Sequence, residues 1–544
     1  MRRSPIWMLA LLGMFGGLCM TPSAQGGAAG LDDQQALRRS LSHLTSRARE
    51  WGIRNPVAEF RLRRVSRDNL NQIHVRLDQL HEGVPVFGQQ LIVHLKADGS
   101  LHSVTGAYRA GIAISTRPVL STQKARTVAK ENFPGPLSKN PEVELVVYPK
   151  NGDAVLAYRV VLEDEDTPRR VVAFVNAMTG ELVHSYNDLR TLLPSTGLPA
   201  RGQSRTPTGR SPRLEAVPEA LSPANGTGLS LYSGTVSITT DFVDGQYSLR
   251  DPTRGSLFTT DMKNRRFGSP KRGIFTDADN VWGDGTNTDR ATAGVDAHFG
   301  GEMTWDYYLN THGRTGIFDD GIGALSRVHY RKNYNNAFWN DSCKCMTYGD
   351  GDGSTFTPLV SLDVAGHEMT HGVTSSTADL IYDDQSGGLN EAMSDIFGTM
   401  VEFYAASQGA TKTPNYLIGE DVFTPATPGD ALRYMDNPTE DGASIDTFAN
   451  YTNSLDVHLS SGIANNAYYL LAEGGTHRLG GVVTGIGRSA AERIFYRALT
   501  LYMIPSETFS QARAHTIQAA TDLFGGGSQA VTSTGQAWSA VGVN

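Results

Sequence analysis

Cysteine is almost missing from this chain: three residues among 544, at Cys19, Cys343 and Cys345. That excludes a framework of disulfides, so stability must come from buried apolar side chains. Long apolar runs are missing after the first twenty residues, and nothing later is suited to crossing a membrane. A strong charge of one sign is missing too. The net charge of −8 is mild and spread out, with no basic stripe of the kind that binds nucleic acid. What is plentiful is glycine, 58 residues, beside 39% hydrophobic residues, the balance of a folded, loop-rich protein. A length of 544 residues exceeds one compact domain and implies three or four.

The one short apolar run, Trp7 to Met20, follows Arg2 and Arg3 and precedes Ser23-Ala24. This is the layout of a secretory signal cut near Gln25, so residues 1–24 are expected to be removed and the mature chain exported. Cys19 offers a lipoprotein alternative, disfavoured by the bulky Leu18 before it. Cys343 and Cys345 then remain, two apart and on one side of any extended strand. A tight, strained disulfide and two free or weakly coupled thiols both stay open, and alone they cannot complete a zinc site.

The informative stretch is Asp363-Val-Ala-Gly-His367-Glu368-Met-Thr-His371, followed by Asn390-Glu391-Ala-Met-Ser-Asp395. Ser361 to Thr374 reads as a partly buried helix, on which His367 and His371, four apart, lie on one face. Gly388 to Ala405 reads as a second helix, with Glu391 and Asp395 likewise on one face. Two imidazoles and the Glu391 carboxylate suit zinc with a fourth position left for water. Glu368, next to the first histidine, is placed to take a proton from that water. Asp395 is placed to accept the free N–H of a ligating histidine.

These motifs, with Leu380-Ile-Tyr382, Ser386-Gly-Gly-Leu and Val457-His458-Leu-Ser-Ser-Gly, resemble the thermolysin-like neutral zinc metalloproteases from about Asn225 onward. Pro358-Leu-Val-Ser and Asp456-Val-His458 are closer to the vibriolysin and pseudolysin branch. The resemblance implies an α+β, two-lobed, thermolysin-like protease. Residues 225–375 would form a β-rich lobe carrying the zinc helix, and 376–544 an α-helical lobe. It implies one catalytic zinc on His367, His371 and Glu391, with Glu368 as general base. His458 and Tyr382 would bind the oxyanion, and Asp456 would orient His458, since Asn453 stands where thermolysin has its orienting aspartate. Asn336 and the Ala337 carbonyl would hold substrate backbone, and Arg433 the carbonyl beyond the cut bond. Val364, Leu432 and Phe356 would line an apolar pocket for the residue after the cut. Asp363, Glu402 and Glu420, with Asn415 and the Leu417 carbonyl, align with a structural calcium site. Asp277 and Asp279, and Thr424 with Asp430, are lesser calcium candidates; Val281 lacks the third oxygen of the first.

Upstream, residues 31 to 60 read as helical. Gln72 onward alternates as a β hairpin with a Gly/Pro turn at Gly83 to Gly88, then Thr122 to Asn132 reads as helix. Glu142 to Tyr148, Ala154 to Leu162 and Arg170 to Asn176 read as strands. The stretch 31–112 resembles the thermolysin/fungalysin propeptide module and 113–189 a PepSY-like module, an α+β pro-region that assists folding and blocks the protease. Residues 190–224, rich in Pro, Ser, Thr, Gly and Arg, read as a linker holding the processing cut. Leu229 to Thr240 reads as strand, Val295 to His312 as helix, and Val328 to Tyr334 as a strand leading into the edge segment. Ser460 to Glu473, Ser489 to Thr500 and Phe509 to Phe524 read as helices. The partners expected are peptide and protein substrates and the chain's own propeptide, with a monomeric enzyme. Two other functions compete: an inactive binding or adhesion protein on the same scaffold, and a pro-region acting as an independent inhibitor or chaperone. The complete ligand set disfavours the first.

Overall fold

Helix Asp33–Ser46 opens with a reciprocal cap: Asp32 accepts the Gln35 amide and the Gln35 side chain accepts the Asp32 amide. Its apolar stripe covers four antiparallel strands, Phe60–Arg67, Ile73–His81, Val84–Leu95 and Leu101–Gly106. The reversal expected over 83–88 is tighter. It is made by Glu82 and Gly83, both left-handed, and Pro85 already lies in the strand opposite Leu80. A second unit repeats the plan, with helix Thr122–Glu131 on strands Glu142–Lys150, Asp153–Asp164, Arg169–Asn176 and Leu182–Asn187. A parallel bridge between Val86 and Val147 joins both units into one eight-stranded sheet. This computed structural model describes residues 31–544 except 151, 165–167, 195–220 and 267–272; the expected signal and most of the expected linker lie outside the described residues.

The next lobe is β-rich. The alternation at Leu229 to Thr240 resolves into a hairpin, not one strand: Pro223–Leu229 pairs with Thr235–Val243 around a turn closed by Ser230 and Gly234. A second sheet carries the edge strand Ala337–Asn340, paired with Cys345–Tyr348. The strand expected over Val328–Tyr334 stops at Val328, because His329, Arg331 and Asn333 take φ of 58°, 60° and 50°, which breaks a ladder. Cys343 and Cys345 are bonded to each other, 5.2 Å between Cα atoms, in the turn between these strands. Arg190–Thr191 pairs antiparallel with the edge strand, Thr191 opposite Phe338. The start of the expected linker is therefore built into the sheet.

The last lobe is helical, with Gly462–Glu473, Arg488–Arg497 and Phe509–Phe524. A further helix, Gln529–Ala540, was not expected; it is rich in Ser, Thr and Gly but is capped by Ser528 and buries Ala537 and Trp538. Between the lobes run Arg290–His312, Leu362–Ser376 and Asp384–Ser407. The last two meet through Gly366 and Gly398. A Cβ on Gly398 would stand 2.5 Å from the Asp363 carbonyl and 2.8 Å from the His367 amide. Backbone touches backbone here because neither glycine has a side chain to hold the helices apart.

The first two units dock on the helical lobe. Arg76 donates to the Met503 carbonyl at 2.8 Å, Arg64 to the Ser376 carbonyl at 2.8 Å, and Ser506 to the Gly88 carbonyl at 2.7 Å. His184 pairs with Asp383 at 2.6 Å, and that bond raises the histidine above its ordinary pKa.

Gly398→Ala tests the close approach. The added methyl has no space, so the helices must part, at a cost of about 1–3 kcal/mol. The expected result is a lowered Tm together with weakened zinc retention; an unchanged Tm would mean the contact is not tight.

Candidate active site

His367 and His371 stand one turn apart on Leu362–Ser376 with ring centroids 4.9 Å apart. Glu391, on Asp384–Ser407, brings Oε2 to 3.5 Å from His367 Nε2 and Oε1 to 3.4 Å from His371 Nε2. All three side chains are fully buried. Each imidazole is fixed through its other nitrogen. His367 Nδ1 donates to Asp395 at 2.8 Å, and His371 Nδ1 donates to Asn390 at 2.8 Å with Ser394 Oγ at 3.1 Å. These bonds select the tautomer whose Nε2 lone pair faces Glu391. Burial, then His367, pushes His371 well below its ordinary pKa, which keeps it neutral.

Nothing among the described residues answers those lone pairs. His367 Nε2, His371 Nε2, Glu391 Oε2 and both Glu368 oxygens are buried without a hydrogen bond. Buried polar atoms are nearly always paired, so five orphans in one place call for an absent partner. Two imidazole nitrogens and one carboxylate are the donor set of catalytic zinc, and they fit it. Burial, then the charge of Glu391, pushes the Glu368 carboxyl well above its ordinary pKa. A divalent cation among these groups would oppose that shift.

Around this centre the charges are paired. Arg433 is buried and grips Asp395 with two bonds, 2.8 and 2.7 Å, and Asn465 donates to the same carboxylate at 2.8 Å. Despite burial, Arg433 and His367 hold the Asp395 carboxyl well below its ordinary pKa. Asp456 caps the short helix Val457–Ser460, accepting from the His458 amide at 3.0 Å and from its Nδ1 at 2.6 Å. Burial disfavours the charged His458 ring, but Glu391 and Asp456 outweigh it and raise its pKa. The Tyr382 hydroxyl donates to Glu391 and lies 3.2 Å from His458 Nε2.

The open side of the centre is covered by the chain itself. Arg190 to Leu193 crosses it, and Leu192 is fully buried. Asn336 and Ala337, expected to hold substrate backbone, bond to Leu193 and Leu192. Phe356, Val364 and Leu192 belong to one apolar cluster with Leu432 packed on it, and the Phe356 ring also lies tilted against Phe423, 5.2 Å away.

The expected calcium group is arranged differently from the sequence reading. Glu402, Glu420 and Asp421 converge, and Lys412 Nζ lies 2.6, 2.7 and 2.5 Å from them. Asp363 accepts the Gly419 amide at 2.6 Å. Asn415 turns its amide nitrogen to Glu420 and its oxygen to the Leu417 amide, so it offers the cluster a donor and no free oxygen. Asp277 accepts the Asp279 and Asn280 amides, and Asp430 the Thr424 hydroxyl, ordinary local bonds.

Comparison with known proteins places this geometry. The model "Thermolysin metallopeptidase, catalytic domain" matches residues 225–375, and "Thermolysin metallopeptidase, alpha-helical domain" matches 378–543. The chain belongs to the thermolysin metallopeptidases. The "Fungalysin/Thermolysin Propeptide Motif" matches 58–108 and the "Peptidase propeptide and YPEB domain" 119–185. Among relatives, the transglutaminase-activating metalloprotease of Streptomyces mobaraensis is 40% identical over 88% of this chain, which spans 60% of that protein. Bacillolysin of Bacillus cereus is 40% identical over 91% of this chain and 86% of its own length. The solved precursor of protealysin from Serratia proteamaculans is 31% identical, covering 53% of this chain and 87% of its own, with a TM-score of 0.44.

Asn390, Ser394, Asn465, Asp421 and the inserted segment were not foreseen from the sequence. Asn390 and Ser394 did carry a signal, being four apart on the helix that supplies Glu391.

Asp395→Asn keeps the shape but removes the charge that steadies His367. Zinc affinity is expected to fall about 10–100-fold, read by competition with a chromogenic chelator. Unchanged affinity would show that the carboxylate serves Arg433 alone.

Proposed function

We infer that this chain is an exported zinc-dependent endopeptidase, made as a zymogen with its inhibitor attached. The observation that carries this reading is the cluster of unanswered buried atoms on His367, His371, Glu391 and Glu368. His367, His371 and Glu391 would hold the metal, which supplies Lewis-acid polarisation and acidifies water when bound. Glu368 takes a proton from the attacking water and passes it to the departing amine. His458, kept charged by Asp456, and Tyr382, once it turns from Glu391, donate to the carbonyl oxygen as it gains charge. Arg433 holds the next carbonyl, while Asn336 and the Ala337 carbonyl hold the backbone in extended form. An apolar pocket bounded by Val364, Leu432 and Phe356 favours an apolar residue after the cut, with weak discrimination among Leu, Phe, Ile and Val.

One calcium ion is supported by Asp363, Glu402, Glu420 and Asp421. Glu402, Glu420 and Asp421 surround a single ammonium, and Glu402 Oε2 and Glu420 Oε2 are buried without a hydrogen bond.

Casein hydrolysis by the processed enzyme tests the reading. Phenanthroline should abolish it and added zinc restore it, and Glu368→Gln should lower kcat about 10²–10⁴-fold with zinc still bound. Hydrolysis indifferent to chelation would refute the assignment. For the second ion, calcium should raise the Tm of wild type and not of Glu402→Gln; equal shifts would remove this cluster as its site.

A further inference from the structure

The segment Arg190 to Leu193 lies in the cleft in the register of a substrate, not merely across it. His458 Nε2 donates to the Thr191 carbonyl at 2.6 Å. The Leu192 amide donates to the Ala337 carbonyl at 3.2 Å. Arg433 Nη1 donates to the Leu192 carbonyl at 3.0 Å. Asn336 brackets Leu193, accepting from its amide at 3.2 Å and donating to its carbonyl at 3.3 Å.

Taken in turn, these contacts single out one bond. The carbonyl held by the oxyanion donor belongs to Thr191, and the carbonyl held by the arginine belongs to Leu192. The nitrogen between them is held by the Ala337 carbonyl. Leu192 is fully buried, as the residue after a cut should be in an apolar pocket. On the other side, Arg190 is itself buried and ion-paired to Asp341 at 2.5 Å. Asp341 is steadied by the Trp339 indole N–H and the Ser375 hydroxyl, each at 2.7 Å.

We propose that Thr191–Leu192 is the bond the zymogen first cuts in itself, and that Asp341 makes the cleft select a basic residue two positions before the cut. This rests on the endopeptidase reading above. In the step, the Thr191 C–N bond breaks and the water oxygen joins the Thr191 carbonyl carbon. Both water protons end on the Leu192 nitrogen, the first carried by Glu368, leaving a Thr191 carboxylate and a Leu192 ammonium.

The test uses the full chain. Wild-type zymogen supplied with zinc is sampled over time and its new termini are read by mass spectrometry, with Glu368→Gln as the uncut control. The first new amino terminus is expected at Leu192, at a rate independent of protein concentration. A first terminus elsewhere, or a rate proportional to concentration, overturns the proposal. Leu192→Ala should slow this cut at least about tenfold; an equal rate counts against it. In the Glu368→Gln zymogen, the Leu192 and Leu193 amides should resist hydrogen exchange, and free exchange there also overturns it. Two peptides, one with Arg and one with Glu in the Arg190 position before Thr-Leu-Leu, separate the parts. Preference for Arg of about tenfold is expected, and equal cleavage removes Asp341 from the proposal. If both peptides are cut but no Leu192 terminus forms, this inference fails alone; if neither is cut, the endopeptidase reading fails with it.

Discussion

The architecture depends on the contact of two helices at Gly366 and Gly398. With a Cβ at either place the helices would separate, and the two imidazoles and the Glu391 carboxylate would no longer share a point. That closeness has an electrostatic cost. It gathers a carboxylate pair and two imidazole rings in a buried interior, where charges without counter-ions are strongly disfavoured. The surroundings absorb part of it: Arg433 on Asp395, Asp456 on His458, Asn390 on His371. What they leave unanswered is the donor set of His367, His371 and Glu391.

Arg433 shows how support and recognition combine in one residue. Two of its nitrogens are committed to Asp395, which in turn orients His367. Its third points to the backbone lying in the cleft. The Leu192 carbonyl and the His367 ring are therefore positioned by the same planar ion pair, and the fork of a guanidinium suits this where an ammonium would not.

Much of this was legible in the sequence where periodicity governs. Histidines four apart on a buried helix, and carboxylates four apart on the next, allow few arrangements. Reading failed where backbone torsion decides. Val328 to Tyr334 alternates like a strand, yet three left-handed residues end the ladder at Val328. Leu229 to Thr240 alternates throughout, and the turn at Ser230 to Gly234 hides inside it. Asn465 and Asp421 belong to no pattern; only the folded chain brings them to Asp395 and Glu402. Composition misled at Arg190 to Leu193, where a linker-like stretch begins with four residues whose partners lie some 140 or more positions downstream.

The guanidinium of Arg76 bears on what happens to the pro-region once it is no longer tied to the rest. Burial, then Arg64 and Arg63 nearby, pushes it down to about 9, against the pull of Asp379 and Glu507, and its hydrogen bonds go to Gln90 and the Met503 carbonyl. Water is a better host for that charge than the docked interface. A pro-region that lifts away would return that charge to water, a gain set against the ion pairs it leaves behind, such as Arg63 with Asp379 and Asp68 with Arg497.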